Sequence, residues 1–412
     1  MANMYRYTRD SHNSKPDYPF LLLAGCGIAV SNVLNVGIYI LLAVSLIFTI
    51  MHGRIPKKLK MYILMLFAVS YFLVCSLWGN LSFQTLKPFM FVVSWCMIYS
   101  YSRNCSISNI FKLIMVLAIG MALHGLANFA YNTMIGTNMI SGLSYDVFTK
   151  QYSSATGQAV YFTLFVSIVF WAVFAQSNIK LKILGAVVFI ASLLYDIQLG
   201  GRSFLVLAAI SVFVGIVSYM MFALKNPDRK DKNRLILILL GFVVLIAVAI
   251  YLYENNYFGL KTWYETSYLF KRIEYYDADK IGQDVRVNLK LQYVRYFFSH
   301  IFGGNQISKG EGIGAAHELW LDVYDDAGLL SYVLLLIYTF LSVNTVYRMI
   351  KLEDLETHFK VGLIEYQLVM LAQFFVEPVF QGAPLLFVSY IMIDAALTRF
   401  YDDQCGRRRL LY

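Results

Sequence analysis

The chain has 412 residues, of which 59% are hydrophobic and only 14% are charged, and its mean hydropathy is +0.60. Soluble domains carry about a quarter charged residues, so this composition excludes an ordinary soluble domain. Recurring apolar runs of about 20 residues predict an all-α, polytopic membrane protein. In such a protein a net charge of +9 fits basic cytoplasmic connections better than nucleic-acid binding.

Twelve apolar runs predict about twelve transmembrane helices. They fall at 19–34, 35–51, 61–79, 86–101, 110–133, 157–175, 180–198, 203–222, 234–253, 328–347, 361–377 and 384–400. The first two are separated only by Ser31, Asn32 and Asn35, so they form either a tight hairpin or one bent span. The fourth run is short for a span.

The distribution of basic residues predicts the orientation. Most of the 34 lysines and arginines lie at the termini and in the even-numbered connections. The positive-inside rule therefore places both termini in the cytoplasm. The predicted organisation is nine spans in 1–253, one large external loop with surface helices in 254–327, and three spans with a cytoplasmic tail in 328–412.

The external loop is too long for a simple connector, since structureless loops beyond about 15 residues are uncommon unless they are functional. Within it, Val287, Leu291, Val294 and Phe298 fall on one helical face. This spacing predicts a short surface helix that ends near Gly303-Gly304.

The segment AAHELWLDVYDDAGLLS, residues 315–331, places one histidine and four carboxylates directly before the tenth run. On a helix, His317 shares a face with Trp320 and Tyr324, whereas the carboxylates Glu318, Asp322 and Asp325 form a separate stripe. For the carboxylates we expect a solvated position at the membrane interface. His317 is the candidate site residue, with a simple interfacial position as the alternative.

Two arginines are candidate anion-binding residues. Arg202 follows Gly-Gly at the external start of the eighth run, where the positive end of a helix and a guanidinium together suit a phosphate; a snorkelling interfacial arginine is the alternative. Arg286 follows Asp277, Asp279 and Asp284 in the external loop. It is either a phosphate ligand or part of a local salt bridge.

The sequence predicts no metal centre. The five cysteines form no CxxC pair, and His317-Glu318 is not followed by the second histidine of a zinc motif. It contains no Walker loop, GxSxG or GxGxxG motif either, so we expect no cofactor.

These motifs together resemble the O-antigen ligase and Wzy polysaccharide polymerase superfamily. The likeness rests on His317-Glu318 followed by LWLDVYDDA and GLLS, on GGRS with Arg202, and on DVRVNLKLQYVRYFFSHIFGGN with Arg286. It covers about residues 157–400. The chain departs from the usual pattern at Glu318, where Asn, Ser or Gln is common, and at Ser331, where Gly, Thr or Tyr is common.

The resemblance implies a polymerase that joins lipid-linked glycan repeat units into a capsular, exopolysaccharide or O-antigen chain. An undecaprenyl-pyrophosphate-linked glycan would pass to a hydroxyl of another lipid-linked unit at the outer face of the bacterial plasma membrane, with inversion and without metal. His317 would act as the general base, and Arg202 and Arg286 would bind the pyrophosphate. The candidates to contact sugars are Trp320, Tyr324, Trp263 and Tyr276.

The expected partners are the lipid-linked oligosaccharide, the bilayer, and possible flippase and chain-length-regulator proteins, with no nucleic acid. A ligase that moves finished glycan to another acceptor is an alternative of the same class. A transporter or flippase of lipid-linked saccharide is an alternative of another class. We disfavour transport because the sequence shows no internal repeat and its notable polar residues gather at the outer boundary.

Overall fold

The computed structural model describes residues 56–80, 82–135, 142–175, 178–225, 229–274 and 285–411, together with Ala43 and Ile47. Apart from those two residues, the first two apolar runs lie outside the described residues. The chain is an all-α, polytopic membrane protein: eight of the described helices are long and apolar enough to cross a membrane. The one described sheet is a two-stranded antiparallel hairpin.

The elements follow one another along the chain in this order: α1 (Leu59–Leu77), α2 (Lys87–Tyr101), α3 (Ile107–Ile135), β1 (Leu143–Asp146), β2 (Gln151–Ser154), α4 (Ala155–Val166), α5 (Ile179–Leu199), α6 (Arg202–Lys225), α7 (Arg229–Glu254), α8 (Leu260–Thr266), α9 (Tyr268–Glu274), α10 (Val285–Tyr296), α11 (Leu319–Ile350), α12 (Thr357–Val376), α13 (Val379–Gly382) and α14 (Pro384–Leu411). Short π-helical segments cover Trp171–Ala175 and Gln306–Gly310.

The candidate spans follow the predicted apolar runs closely. They are α1, α3, α4 with its π-helical continuation, α5, α6, α11, α12 and α14. The fourth run forms α2, whose 15 residues reach about 22 Å at a rise of 1.5 Å per residue. That length is shorter than a hydrocarbon core of about 30 Å. The ninth run lies inside α7.

The predicted surface helix exists as α10, but its predicted end is wrong. It ends at Tyr296 rather than near Gly303-Gly304. A tertiary contact stops it, because the Phe297 carbonyl accepts a hydrogen bond from the Tyr324 hydroxyl and the Phe297 ring stacks on the Tyr324 ring at 4.2 Å.

The chain divides into two compact units. Unit 1 comprises residues 1–120, 292–349 and 378–412, and unit 2 comprises residues 121–291 and 350–377.

A buried carboxylate joins four helices of unit 1. Asp394 on α14 accepts hydrogen bonds from Lys60 Nζ at 2.5 Å, Trp95 Nε1 at 3.2 Å, Tyr338 OH at 2.8 Å and Ser342 Oγ at 2.7 Å. These donors lie on α1, α2 and α11. Because a charge inside a membrane protein needs partners, the network fixes how these helices pack.

A second buried carboxylate accepts hydrogen bonds from backbone N–H groups where a span of unit 2 is interrupted. Helix α4 ends at Val166, and the π-helical continuation of the span begins at Trp171. Glu365 on α12 accepts from Phe170 N at 2.6 Å, Trp171 N at 3.0 Å and Ser211 Oγ at 2.7 Å. The interruption is tolerated because the protein satisfies the freed backbone groups.

Candidate functional site

His317 stands in a turn immediately before α11. The helix begins at Leu319, and His317 has a φ of 58° in the left-handed region. The prediction that His317 shares a helical face with Trp320 and Tyr324 is therefore wrong. The cause is a local hydrogen bond: Asp322 Oδ1 accepts from the buried Ala316 N–H at 3.0 Å and turns the chain back over the first turn of the helix.

The carboxylates of this segment are buried, which corrects the expectation of a solvated stripe. Asp322 and Asp325 are each 4% exposed and Asp326 is 9% exposed. Asp326 Oδ2 accepts a hydrogen bond from the hydroxyl of Tyr71, a residue of α1, at 2.8 Å. Burial is possible because neighbouring chain segments supply donors that water would otherwise supply.

Asp325 holds the preceding loop against α11. Its Oδ1 accepts from Ile307 N at 2.9 Å, and both oxygens lie 3.3 Å from Ser308 N. Its Oδ2 also accepts from Tyr293 OH at 3.4 Å. Burial, together with the charges of Asp325 and Asp322, raises the pKa of the Tyr293 phenol, so this group remains a hydrogen-bond donor.

Two glycines allow the loop to approach the helix. Gly328 interrupts the helical conformation of α11 with a φ of 75°, and a Cβ atom there would lie 2.6 Å from the Ile301 carbonyl oxygen. A Cβ atom at Gly303, whose φ is 66°, would lie 2.4 Å from Gly328 N. Both positions therefore require glycine. Leu329 N donates to the Ile301 carbonyl at 2.9 Å and completes the contact.

These contacts enclose a polar cavity of about 630 Å³ within unit 1, a volume typical of small-molecule sites. It lies between the end of α1, the start of α2, the loop before α11 and the first turns of α11. Its lining combines hydrogen-bonding, charged and aromatic groups: Tyr71, Cys75, Asn80, Ser82, Thr85, Lys87, Asn305, Ser308, Lys309, Gly314, Ala315, Asp322, Asp325, Asp326 and Phe380.

His317 itself is half-buried and stands two residues after Ala315, which lines the cavity. The two aromatic candidates beside it belong to the packing. Trp320 is 4% exposed and its Nε1 lies 3.4 Å from Thr339 Oγ1. Tyr324 is fully buried. Neither ring presents an open face on which a sugar could stack.

The predicted arginines lie in unit 2, whereas His317 lies in unit 1. Arg202 is the first residue of α6 and is half-buried. Arg286 is the second residue of α10. Trp263 is half-buried on α8, and Tyr276 lies outside the described residues.

A carboxylate stands at the start of α6, beside the predicted phosphate cradle. Asp196 is fully buried, and its Oδ1 lies 2.4 Å from where a Cβ atom at Gly201 would be. Sequence reasoning expected an anion near Arg202 and the positive helix end. The chain itself places the acidic side chain of Asp196 beside Gly201, five residues further along the sequence. The sequence did not predict that these two residues lie close together.

A second buried polar group was also missed, in unit 2. His124 Nε2 lies 3.0 Å from Asp146 Oδ2, and the Tyr161 hydroxyl donates to the same oxygen at 3.1 Å. Burial acts to raise the pKa of Asp146, but hydrogen bonds from His124 and from the backbone of Thr149 and Phe148 outweigh it and hold that pKa well below its usual range. The available signal was a lone histidine inside an apolar run.

No protein-family model and no curated protein matches this chain. Among the described residues, no group of three or more His, Cys, Asp or Glu side chains is arranged to hold a metal ion. The features that bear on function are therefore the cavity, the turn that carries His317 and the motifs of the sequence.

Proposed function

We propose that this chain is a glycan polymerase of the plasma membrane that joins lipid-linked repeat units at the outer face. The observation that carries the proposal is the polar cavity of unit 1, whose wall includes Ala315 and Asp322 on either side of His317. The motif resemblance supplies the reaction class. The proposal includes a topology of about twelve spans with cytoplasmic termini and an external segment before α11.

In this proposal His317 acts as the general base. A neutral imidazole accepts the proton of an acceptor sugar hydroxyl, and the oxygen attacks the anomeric carbon of the lipid-linked donor glycan. The bond between that carbon and the pyrophosphate oxygen breaks, and the anomeric centre inverts. General-base catalysis of this kind contributes about 10²–10⁴ in rate.

The left-handed backbone of His317 supports a functional role. A non-glycine residue in this region stores strain on the order of 1–3 kcal/mol, which the surrounding contacts must maintain. Here the hydrogen bond from Ala316 N to Asp322 maintains it. Strained residues that their surroundings hold in place are concentrated at active sites.

The lipid pyrophosphate leaves with developing negative charge. Arg202 and Arg286 are proposed to stabilise that charge, because guanidinium groups contact phosphate oxygens in a bidentate geometry. Two arginines supply the electrostatic stabilisation that a metal ion would otherwise provide.

A transporter of lipid-linked saccharides is the second candidate. The observation in its favour is the interrupted span Ala155–Ala175, at whose break the buried Glu365 accepts hydrogen bonds. Interrupted helices with buried polar groups are common in transporters. We rank it second because the groups around Glu365 satisfy one another, whereas the cavity beside His317 is open to a ligand.

The test is replacement of His317 by Ala in producing cells, with His300→Ala as the matched control. His300 belongs to the same segment before α11, and its Nε2 lies 2.9 Å from the Glu311 carboxylate. We expect His317→Ala to abolish long polymer and to accumulate lipid-linked repeat units, while His300→Ala leaves both unchanged. Normal polymer from a well-expressed His317→Ala protein would contradict the general-base role.

Reconstitution separates the candidate functions. The purified protein with lipid-linked repeat units alone should build a ladder of products. Product that appears only after a different acceptor is added indicates a ligase. Translocation of intact units without new glycosidic bonds indicates a transporter.

A further inference from the structure

The three carboxylates in the cavity wall differ in how their oxygens are used. Both oxygens of Asp325 accept hydrogen bonds from the loop or from Tyr293. Asp326 Oδ2 accepts from Tyr71. Asp322 Oδ1 accepts from Ala316 N, but Asp322 Oδ2 has no hydrogen-bond partner in the part of the chain that the structure describes.

An unpartnered oxygen on a side chain that is only 4% exposed is energetically costly, because a buried carboxylate that lacks donors has lost its hydration without compensation. Asp322 also lines the cavity. Oδ2 itself is buried, so the Asp322 carboxyl has to rotate toward the cavity to meet a donor group of a ligand there, and that contact would remove the cost. The site therefore favours a ligand that carries hydroxyl or N–H donors.

The remaining lining restricts the class of ligand. Three carboxylates against two lysines, Lys87 and Lys309, give the lining a formal excess of negative charge that disfavours a free phosphate, and the density of polar groups disfavours a lipid tail. Asn80, Ser82 and Thr85 offer further donors and acceptors in the lining, and Phe380 offers an aromatic ring. A sugar combines hydroxyl groups with an apolar C–H face, and this combination matches the lining.

We propose that this cavity is a sugar-binding subsite in which a sugar hydroxyl donates to Asp322 Oδ2. Asp322 would then act twice, since its other oxygen fixes the turn that carries His317. The bound sugar and the imidazole are thereby positioned by one side chain. The inference deepens the proposed function and rests on it for the identity of the sugar, which belongs to the accepting repeat unit.

The first test is Asp322→Asn in the reconstituted protein. Asparagine keeps an oxygen for the Ala316 N–H and replaces the open oxygen by an NH₂ group, which cannot accept. Hydrogen bonds to charged groups are worth enough to predict a roughly 10- to 100-fold rise in KM for lipid-linked repeat units. We expect kcat to change much less, and the pH profile to keep the shape that it has in the wild type.

The matched control is Glu311→Gln, which changes a carboxylate in the same segment that does not line the cavity. It should leave KM unchanged. If Asp322→Asn fails to fold, Ser82→Trp replaces it as the test, because Ser82 is exposed and lines the cavity, and a large ring there takes up space that the sugar needs. An unchanged KM in the folded variant overturns the proposal.

A binding measurement tests the inference without relying on turnover. Ser82→Cys should react with a membrane-impermeant maleimide, and repeat units purified from cells that lack this protein should slow the reaction about fivefold or more. Asp322→Asn in the same background should abolish this protection. If substrate protects Ser82→Cys, and His317→Ala still makes normal polymer, the proposed base is overturned while the subsite stands. Absence of protection overturns the subsite even if polymer is made.

Discussion

Asp325 should be a structural support of the cavity wall, and its removal should release the loop before α11. Asp325→Ala leaves the N–H groups of Ile307 and Ser308 without their acceptor, and Ile307 is fully buried. Each buried N–H group that loses its partner costs about 1–3 kcal/mol. Two such groups give a local destabilisation of about 2–6 kcal/mol. Asp325→Asn retains one oxygen and should lose about half of that.

Limited proteolysis measures this local stability. Lys309 is exposed within the loop, and trypsin requires the chain around it to open before cleavage. When opening is fast, the cleavage rate follows the open population. A loss of about 2 kcal/mol raises that population roughly 30-fold. We therefore expect Asp325→Ala to be cut after Lys309 at least about 30 times faster than the wild type.

Glu311→Ala is the control, because it removes another carboxylate from the same segment. Glu311 forms a partly exposed pair with His300 at 2.9 Å, and such pairs contribute about 0–1 kcal/mol. Its cleavage should accelerate less than about fivefold. If Asp325→Ala is cut at the wild-type rate, the carboxylate does not hold the loop, and the account of the cavity wall fails with it.

Two further predictions concern unit 2. Glu365→Ala should lower the free energy of unfolding in detergent by about 2–6 kcal/mol, because the Phe170 and Trp171 N–H groups lose their acceptor, while Ser211 Oγ still donates to the Val166 carbonyl; Glu365→Gln should be intermediate and the exposed Glu356→Ala neutral. Equal stability of all the proteins would refute the capping role. The second prediction concerns pH. Hydrogen bonds from His124 and Thr149 lower the pKa of Asp146 in the folded protein. The ionised Asp146 side chain therefore stabilises the fold above its ordinary pKa of about 3.9, and this stabilisation is lost as the pH falls toward the lower folded-state pKa. The melting temperature of the wild type should therefore fall more steeply below about pH 4 than that of Asp146→Asn, and parallel curves would contradict the role of this carboxylate.

The sequence by itself determined the class of the protein and the positions of the eight candidate spans among the described residues. Eight predicted runs recur as helices long enough to cross a membrane, and α6 begins at Arg202, one residue before the predicted start of the eighth run at residue 203. These features depend on length and local hydropathy, which a single segment carries without reference to the rest of the chain. The surface helix α10 was also predicted from its own periodicity.

Tertiary structure decided the arrangement of the candidate site. A helical projection assumed that residues 315–331 form one regular helix, but Asp322 turns the chain at His317 and Gly328 interrupts α11. The burial of the carboxylates required partners distant in sequence, such as Tyr71 for Asp326. The same holds for the groups bonded to Asp394, Glu365 and Asp146.

The physical reason is that a carboxylate has no intrinsic preference between a solvated interface and a buried pocket. Its position depends on whether other segments deliver donors to both oxygens. Hydropathy along the chain assigns a span to the membrane, but only the packed chain brings Asp325 to the backbone of Ile307 and leaves Asp322 Oδ2 without a partner among the described residues.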